Sequence, residues 1–471
     1  MPEIGPAHNG EIKLGRALGL GGGIALVVGS IIGMGIYALV GPIAANSGKA
    51  MWLAFIIAMI ISAIGVIPII QAASAVPRAG VGYLITSRLA SPLLGMLVSI
   101  WAIIGAACGT GIVCIGFAGA IASYWPWGID KALEIKLLSL VFPVLFMGLY
   151  LFKLQLANWL EIVMVILKLL ALGAFIVAGI FILTNPLQFS FTPPLGLTGM
   201  VMAIVLCYTT CMGFQVIAEM GEEMKNPKRN IPLSVIIGGL LVLVVYILVG
   251  GIFMSTVPYD YDAMMKMKSP LLDSARTFLP EGFVAFLGLG AAFAAITAIN
   301  AAAMAMPREI LAQGRDGILP SFFARVSPRT LTPIRAIGVY LLVLFLLLCL
   351  QFAGVDMDFY GVMAAIGILL MTVVGAFLVI RLPGRFPEAY NNAYIKVPRA
   401  WLIPIAIITA VTSLPFVVLV MLDYKNTWLI LALLAGVTLV IILYYFLRVR
   451  WLKARGVNWR ERTKTISLID E

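Results

Sequence analysis

Residues 19–42 read GLGGGIALVVGSIIGMGIYALVGP, an apolar stretch long enough to enter a bilayer that still sets Gly29, Ser30, Gly33 and Gly35 within one short segment. Small residues allow helices to pack closely in a membrane. They also allow a helix to break, which is tolerated at membrane depth only where the freed backbone groups face protein or a wet cavity. Such a break leaves N–H groups free on one half and carbonyls on the other. An anion site and a cation site then lie side by side, a pairing suited to a zwitterion.

A second stretch has the same character. Residues 200–232, MVMAIVLCYTTCMGFQVIAEMGEEMKNPKRNIP, place Thr209, Thr210, Cys211, Met212 and Gly213 at mid-membrane and then turn acidic. Two discontinuous spans five apart are the mark of an inverted repeat, in which the first five spans relate to the next five and substrate lies where the broken helices meet. Residue matching between the halves does not reveal the repeat; the placement of the breaks carries it.

Between them, residues 158–184 read NWLEIVMVILKLLALGAFIVAGIFILT, with Lys168 near the centre of the run. An ammonium at that depth costs roughly 2.5–3.5 kcal/mol on insertion scales, so such residues face a protein interior or cavity and serve ion or substrate movement. A structural lysine snorkelling to the interface is the alternative, but escape lies several turns away.

The rest of the chain is of the same class. Of 471 residues 62% are apolar and 11% charged, and the mean hydropathy is +1.07. Repeated apolar stretches of membrane length exclude a soluble core. The pattern predicts twelve spans, near 19–44, 51–73, 91–124, 136–152, 158–184, 197–218, 231–255, 283–306, 335–353, 359–381, 400–421 and 427–448. A polar segment precedes the first, so the chain is expected to be inserted without a cleaved signal. The five cysteines fall in spans and imply no disulfide framework.

The net charge of +11 is distributed by topology. With the N-terminus inside, 24 of the 32 Lys and Arg fall on the inner side and 7 on the outer, Lys168 being the remaining one. The positive-inside rule then puts both termini in the cytoplasm, and a multi-pass protein of the plasma membrane is expected. The basic tail suits anionic lipid headgroups, not nucleic acid.

Three segments resemble the amino acid, polyamine and organocation (APC) superfamily, whose members have the leucine-transporter fold. Residues 29–37, GSIIGMGIY, are similar to its first-span motif. Residues 213–232, GFQVIAEMGEEMKNPKRNIP, are similar to its Glu-Glu-x-Lys-Asn-Pro signature, the most specific of the three. Residues 308–333, REILAQGRDGILPSFFARVSPRTLTP, are similar to its Arg-Asp-Gly loop after the eighth span.

The resemblance implies an all-α membrane protein with a five-plus-five inverted repeat at 19–184 and 197–381. Spans 1 and 6 would be broken, and two extra helices would occupy 400–448, between a tail at 1–18 and a basic tail at 449–471. It further implies a substrate cradle of Ser30, Ile31, Gly33, Met34 and Gly35 with Thr209, Thr210, Cys211, Met212 and Gly213. In it the amides of Gly33, Met34 and Gly35 would meet a carboxylate, and the carbonyls of Ile31, Thr209 and Met212 an amine.

By the same resemblance Lys168 would stand in for a bound sodium ion, bridging span 1 near Gly29 or Ser30 to span 8 at Thr297 and Asn300. A lysine that can lose its charge would couple transport to protons; one that stays charged would leave an exchanger. The family's aromatic lid in span 6 is absent, with Thr209 in its place. Trp101 and Tyr360 are candidate substitutes, and Glu222, Glu223 and Arg308 a candidate inner gate. Gln215 stands where some relatives carry an acid. With Glu161 and Glu219 the only acids near membrane depth, and both toward the inner side, neutral amino acids are the expected substrates. Glu161 reads best as an interfacial anchor.

An enzyme is not indicated, since the single histidine, His8, lies in the N-terminal tail and no metal-ligand cluster or nucleophile motif falls in a span. No cofactor or metal is expected; the expected partners are an amino acid, protons and the lipid bilayer. The reading is a proton-coupled amino acid carrier. An exchanger or amine antiporter is the alternative, and an amino acid sensor descended from a carrier the reading from another class. Oligomeric state is not encoded legibly.

Overall fold

The computed structural model describes residues 14–124, 127–150, 154–185 and 187–457. His8 and most of both expected tails lie outside them. The described chain is helical from end to end. Eleven helices are long and apolar enough to cross a membrane, the first of them, Gly35–Ala75, containing two arms joined by a turn at Gly48–Ala50. With the shorter helix Leu20–Ile31 they make twelve spans.

Span 1 is Leu20–Ile31 followed by Gly35–Ser47; spans 2 to 5 are Met51–Ala75, Pro92–Tyr124, Lys131–Tyr150 and Leu154–Ile182. Span 6 is Gly196–Thr210 followed by tight turns at Phe214–Glu219 and Gly221–Glu223; spans 7 to 10 are Pro227–Thr256, Glu281–Arg315, Ile334–Cys349 and Met357–Val379. Spans 11 and 12 are Arg399–Asp423 and Thr427–Ala454, and a short helix, Val81–Leu89, joins spans 2 and 3. Both expected breaks are present. The chain leaves the helix at Ile32, with ψ of 76°, and re-enters at Gly35.

The spans pack against one another in pairs. Span 5 lies on span 8 and span 10 on span 3; span 1 lies on span 7 and span 6 on span 2. Spans 3 and 4 pack together, as do 8 and 9. Exchanging each span for the one five positions away converts each of these contacts into another of the set. Span 11 lies against spans 10 and 2 and span 12 against span 3, outside the exchange.

Candidate functional site

The two breaks touch. Ser30 Oγ donates to the Gly213 carbonyl at 3.0 Å, fastening the first break to the sixth. Gly213 has φ of 130°, and a Cβ there would lie 2.9 Å from the carbonyl carbon and oxygen of Ser30. Only glycine fits both the backbone conformation and the approach. Gly35 is constrained likewise, since a Cβ would lie 2.9 Å from Thr210 Cγ2.

The backbone groups at the breaks divide into free and engaged. Among the described residues the amides of Met34 and Gly35 have no backbone acceptor, whereas the Gly33 amide is turned onto the Ile31 carbonyl at 2.8 Å. That carbonyl also accepts the Tyr246 hydroxyl at 3.1 Å, which reaches the Thr210 carbonyl at 3.2 Å as well. Ile31 and Gly33, expected to offer free groups, are therefore occupied in this conformation. Tyr246, fully buried on span 7, was not among the expected residues; a phenol in the middle of an apolar span, where its O–H must find a partner, is the signal that marks it.

Lys168 is fully buried, and its ammonium reaches four neutral oxygens: the carbonyls of Val28 at 3.3 Å, Gly29 at 3.2 Å and Ile32 at 2.7 Å, and Thr297 Oγ1 at 2.9 Å. Among the described residues the Gly29 and Ile32 carbonyls have no backbone donor where span 1 breaks, while that of Val28 also accepts the Ile32 amide at 2.9 Å. The ammonium thus ties spans 5, 1 and 8 together at one point, as the sequence led one to expect for Gly29 and Thr297. Asn300 differs: its amide donates at 2.7 Å to Glu161 Oε2. Glu161 is no interfacial anchor, for it is 1% exposed, and its Oε1 has no hydrogen-bond partner among the described residues. A Cβ on Gly29 would strike that oxygen first, so the carboxyl lies against the break.

An amino acid permease family model matches residues 18–447, most of the chain and every element of this site. The chain belongs to the amino acid permease family. It is 29% identical over 348 residues to cationic amino acid transporter 3, mitochondrial, of Arabidopsis thaliana, covering 69% of this chain and 56% of that one. It is 26% identical over 345 residues to the branched-chain amino acid permease BcaP of Bacillus subtilis (strain 168), covering 69% and 73%. It is 28% identical over 369 residues to cationic amino acid transporter 4 of Homo sapiens, covering 72% and 56%. The chain thus spans a little over half the length of the plant and human relatives.

A cavity of about 30 Å³ flanks the sixth break, lined by Ser62 and Val66 of span 2, Tyr208, Cys211 and Met212 of span 6, and Thr372 of span 10. It has room for a water or two, not an amino acid. Thr209 is exposed, its hydroxyl turned back onto the Leu206 carbonyl at 2.7 Å. Neither proposed aromatic lid is at the cradle. Trp101 donates to Thr438 Oγ1 of span 12 at 3.1 Å, and Tyr360 to the Leu347 carbonyl at 2.7 Å, both in a cluster with Phe359 and Tyr424.

One end of the bundle is closed by ion pairs. Arg308, fully buried, donates from Nε at 2.8 Å and Nη2 at 2.7 Å to Glu223 Oε1 and from Nη1 to the Met304 carbonyl. Arg315 grips both oxygens of Glu222 at 2.7 and 2.9 Å. The three gate residues expected from sequence are thus together. Asp316 is held instead by Arg88 and, at 2.8 Å, by the Tyr83 hydroxyl. Burial alone would lower the Arg88 pKa, but the hydrogen bond and charge of Asp316 outweigh it and hold the guanidinium above its ordinary value. Span 6 is stitched shut on the same side, with Leu18 donating to the Glu223 carbonyl at 3.0 Å and Lys225 to that of Leu18 at 2.7 Å.

Proposed function

We propose that this permease carries amino acids across the plasma membrane by alternating access, without sodium, with both termini in the cytoplasm. Spans 1 and 6 form the substrate cradle, and the Lys168 ammonium takes the place of a coupling cation. The observation that carries this reading is the set of four neutral oxygens around Lys168, three of them carbonyls at the break in span 1. An alkali cation would seek the same oxygens. A substrate carboxylate meets the amides of Met34 and Gly35, and a helix N-terminus favours such a charge by about 0.3–1 kcal/mol. The amine meets the carbonyls of Thr209 and Met212.

Because the breaks touch and the adjoining cavity is small, substrate enters only when spans 1 and 6 separate. Gly33 and Ile31 become available then, when the Tyr246 bridge opens. Residues 19–184 and 197–381 move as the two repeats. The named relatives include both cationic and branched-chain carriers, so kinship leaves the side chain open. The lining beside the sixth break has serine, threonine, tyrosine, cysteine and glutamine but no ionisable carboxylate, which favours neutral substrates.

Proton coupling runs through Lys168, with Glu161 two turns away on the same helix as the nearby acceptor. The hydrogen bonds of Lys168 all go to neutral oxygens, so losing its charge breaks no ion pair in direct contact. The saturation of its three N–H groups favours a second reading, in which the ammonium keeps its charge and the protein exchanges one amino acid for another. Uptake of a labelled amino acid panel into proteoliposomes without internal substrate separates them. Gradient-driven uptake supports the symporter, and uptake only after preloading supports the exchanger. Binding without flux under either condition would overturn the carrier reading in favour of a sensor.

A further inference from the structure

The closed end of the bundle holds two acids that the ion pairs leave out. Glu219, at the end of span 6, and Glu309, in the last turns of span 8, are both fully buried. Their Oε1 atoms converge on one place: Glu219 accepts the Gly82 amide at 3.4 Å and Glu309 the Tyr83 amide at 3.0 Å. These amides belong to the first turn of the helix Val81–Leu89. A Cβ on Gly82 would lie 2.9 Å from Glu309 Oε1 and 3.3 Å from Glu219 Oε1, so the two carboxyls crowd one spot, and the Oε2 of each has no hydrogen-bond partner among the described residues.

The charges around them are committed. From span 8, Arg308 is bound to Glu223 and Arg315 to Glu222. From the short helix, Arg88 and Tyr83 are bound to Asp316. From the turn before it, Arg78 lies 3.8 Å from Glu222. The helix N-terminus suits one negative charge. A second, a few ångströms away in a dry site, is strongly disfavoured, as when two carboxyls share one proton.

We propose that Glu219 and Glu309 form a proton-binding pair that holds one proton while this end of the permease is closed and releases it when the end opens. Closed, one carboxyl donates its O–H to the other. Opening parts spans 6 and 8 from the short helix and admits water; the O–H bond breaks, the proton passes to water, and both carboxylates ionise. Binding the proton and closing the end are then one event. A cavity of about 20 Å³ lies beside the pair, lined by Gly82 and Thr86, Ile69 and Ala72, and Met371 and Gly375. Opening has only to enlarge it toward water. The pair is separate from Lys168, and the opening of this end rests on the alternating-access reading proposed above.

The test is thiol labelling, which needs no transport. Gly375 lines the small cavity, and a Cβ there meets nothing within 4 Å. In a background with the five native cysteines replaced, Gly375→Cys in nanodiscs is labelled by an impermeant maleimide, with rates corrected by the denatured protein for thiol ionisation. The expected labelling rises on the order of tenfold from about pH 6 to about pH 8, as protons leave the pair and the open state gains population. Adding E219Q and E309Q together removes this rise and holds labelling at the closed level. E309Q alone, which keeps an amide to donate to Glu219, does the same, and is the deciding variant where the double one does not fold. The same pH step in the glutamine variants would overturn the proposal. So would labelling that follows sodium or potassium at fixed pH, which would make the site one for a metal cation.

Discussion

Lys168 and Arg308 are both fully buried cations, each making a contact in span 8 or lying on it, yet they are held in opposite ways. Lys168 has four neutral oxygens, whereas Arg308 has the Glu223 carboxylate and the Met304 carbonyl. A charge held by dipoles can leave or be neutralised without exposing an opposite charge in a dry interior. A buried ion pair has no such freedom; it parts only when water reaches both members. The first arrangement suits a group that changes state in the middle of the membrane, the second a lock that opens to solvent.

Removing Lys168 is expected to have the largest effect. Lys168→Ala breaks the link among spans 1, 5 and 8 and removes the ammonium from three span-1 carbonyls, of which that of Ile32 has no other donor among the described residues. Hydrogen bonds to a charged group are worth about 1.5–3 kcal/mol, so gradient-driven uptake should fall by roughly a hundredfold or more while the protein still inserts. Undiminished coupling in the variant removes Lys168 from the mechanism. Lys168→Arg sharpens the comparison, because a guanidinium does not give up its proton. Exchange after preloading should survive in part and gradient-driven uptake should not; loss of both together would mean that shape, not titration, is what the site requires.

The ion pair should respond in stability first. Arg308→Ala strands Glu223 in the interior and is expected to cost about 3–5 kcal/mol, read as a lower unfolding temperature of the detergent-solubilised protein. Removing both charges, with Arg308→Ala and Glu223→Ala together, should recover much of that loss. If the double variant is as unstable as the single one, Arg308 acts through its bond to Met304 and the contrast with Lys168 weakens.

How much of this was legible in the sequence follows from what a membrane sequence encodes. The spans and both breaks were, because hydropathy marks depth and glycine marks the places where backbones meet. Gly29 and Thr297 were read as neighbours of Lys168, but the Val28 and Ile32 carbonyls were not, and Ser30 bonds Val27 and Gly213 instead. Asn300 was read on the right helix, but its bond to Glu161 was not foreseen, since Glu161 was placed at the interface by counting residues. Glu309 was overlooked because the apolar stretch was read as ending near residue 306, while the helix runs on to Arg315. Trp101 and Tyr360 failed for another reason. When a helix is apolar on nearly every side, no stripe fixes its rotation, so which face meets the cradle cannot be read from the pattern.

The smaller effects test whether the cradle belongs to the side of the molecule that changes state. Tyr246→Phe removes one hydroxyl shared between the Ile31 and Thr210 carbonyls, a change of about 0.5–1.5 kcal/mol. If the bridge competes with substrate for the Ile31 carbonyl, its loss should lower KM for uptake by roughly three- to tenfold. A raised KM of that size would instead make the hydroxyl a support that shapes the cradle for the bound state.

Ser30→Ala should act more weakly still. It removes the 3.0 Å bond to the Gly213 carbonyl but leaves the close approach of the two backbones, which depends on Gly213 having no side chain. Since Ser30 also donates to Val27 within its own helix at 2.9 Å, the hydroxyl is shared, and only part of one hydrogen bond is at stake. A change of about twofold in uptake is expected, toward the lower end of the usual range for one neutral bond. Gly213→Ala keeps that bond available but forces the backbones apart and strains a φ of 130°. If the serine variant proves the more damaging of the two, the breaks are held together by the hydroxyl and not by backbone fit, and the contact is a latch and not a hinge.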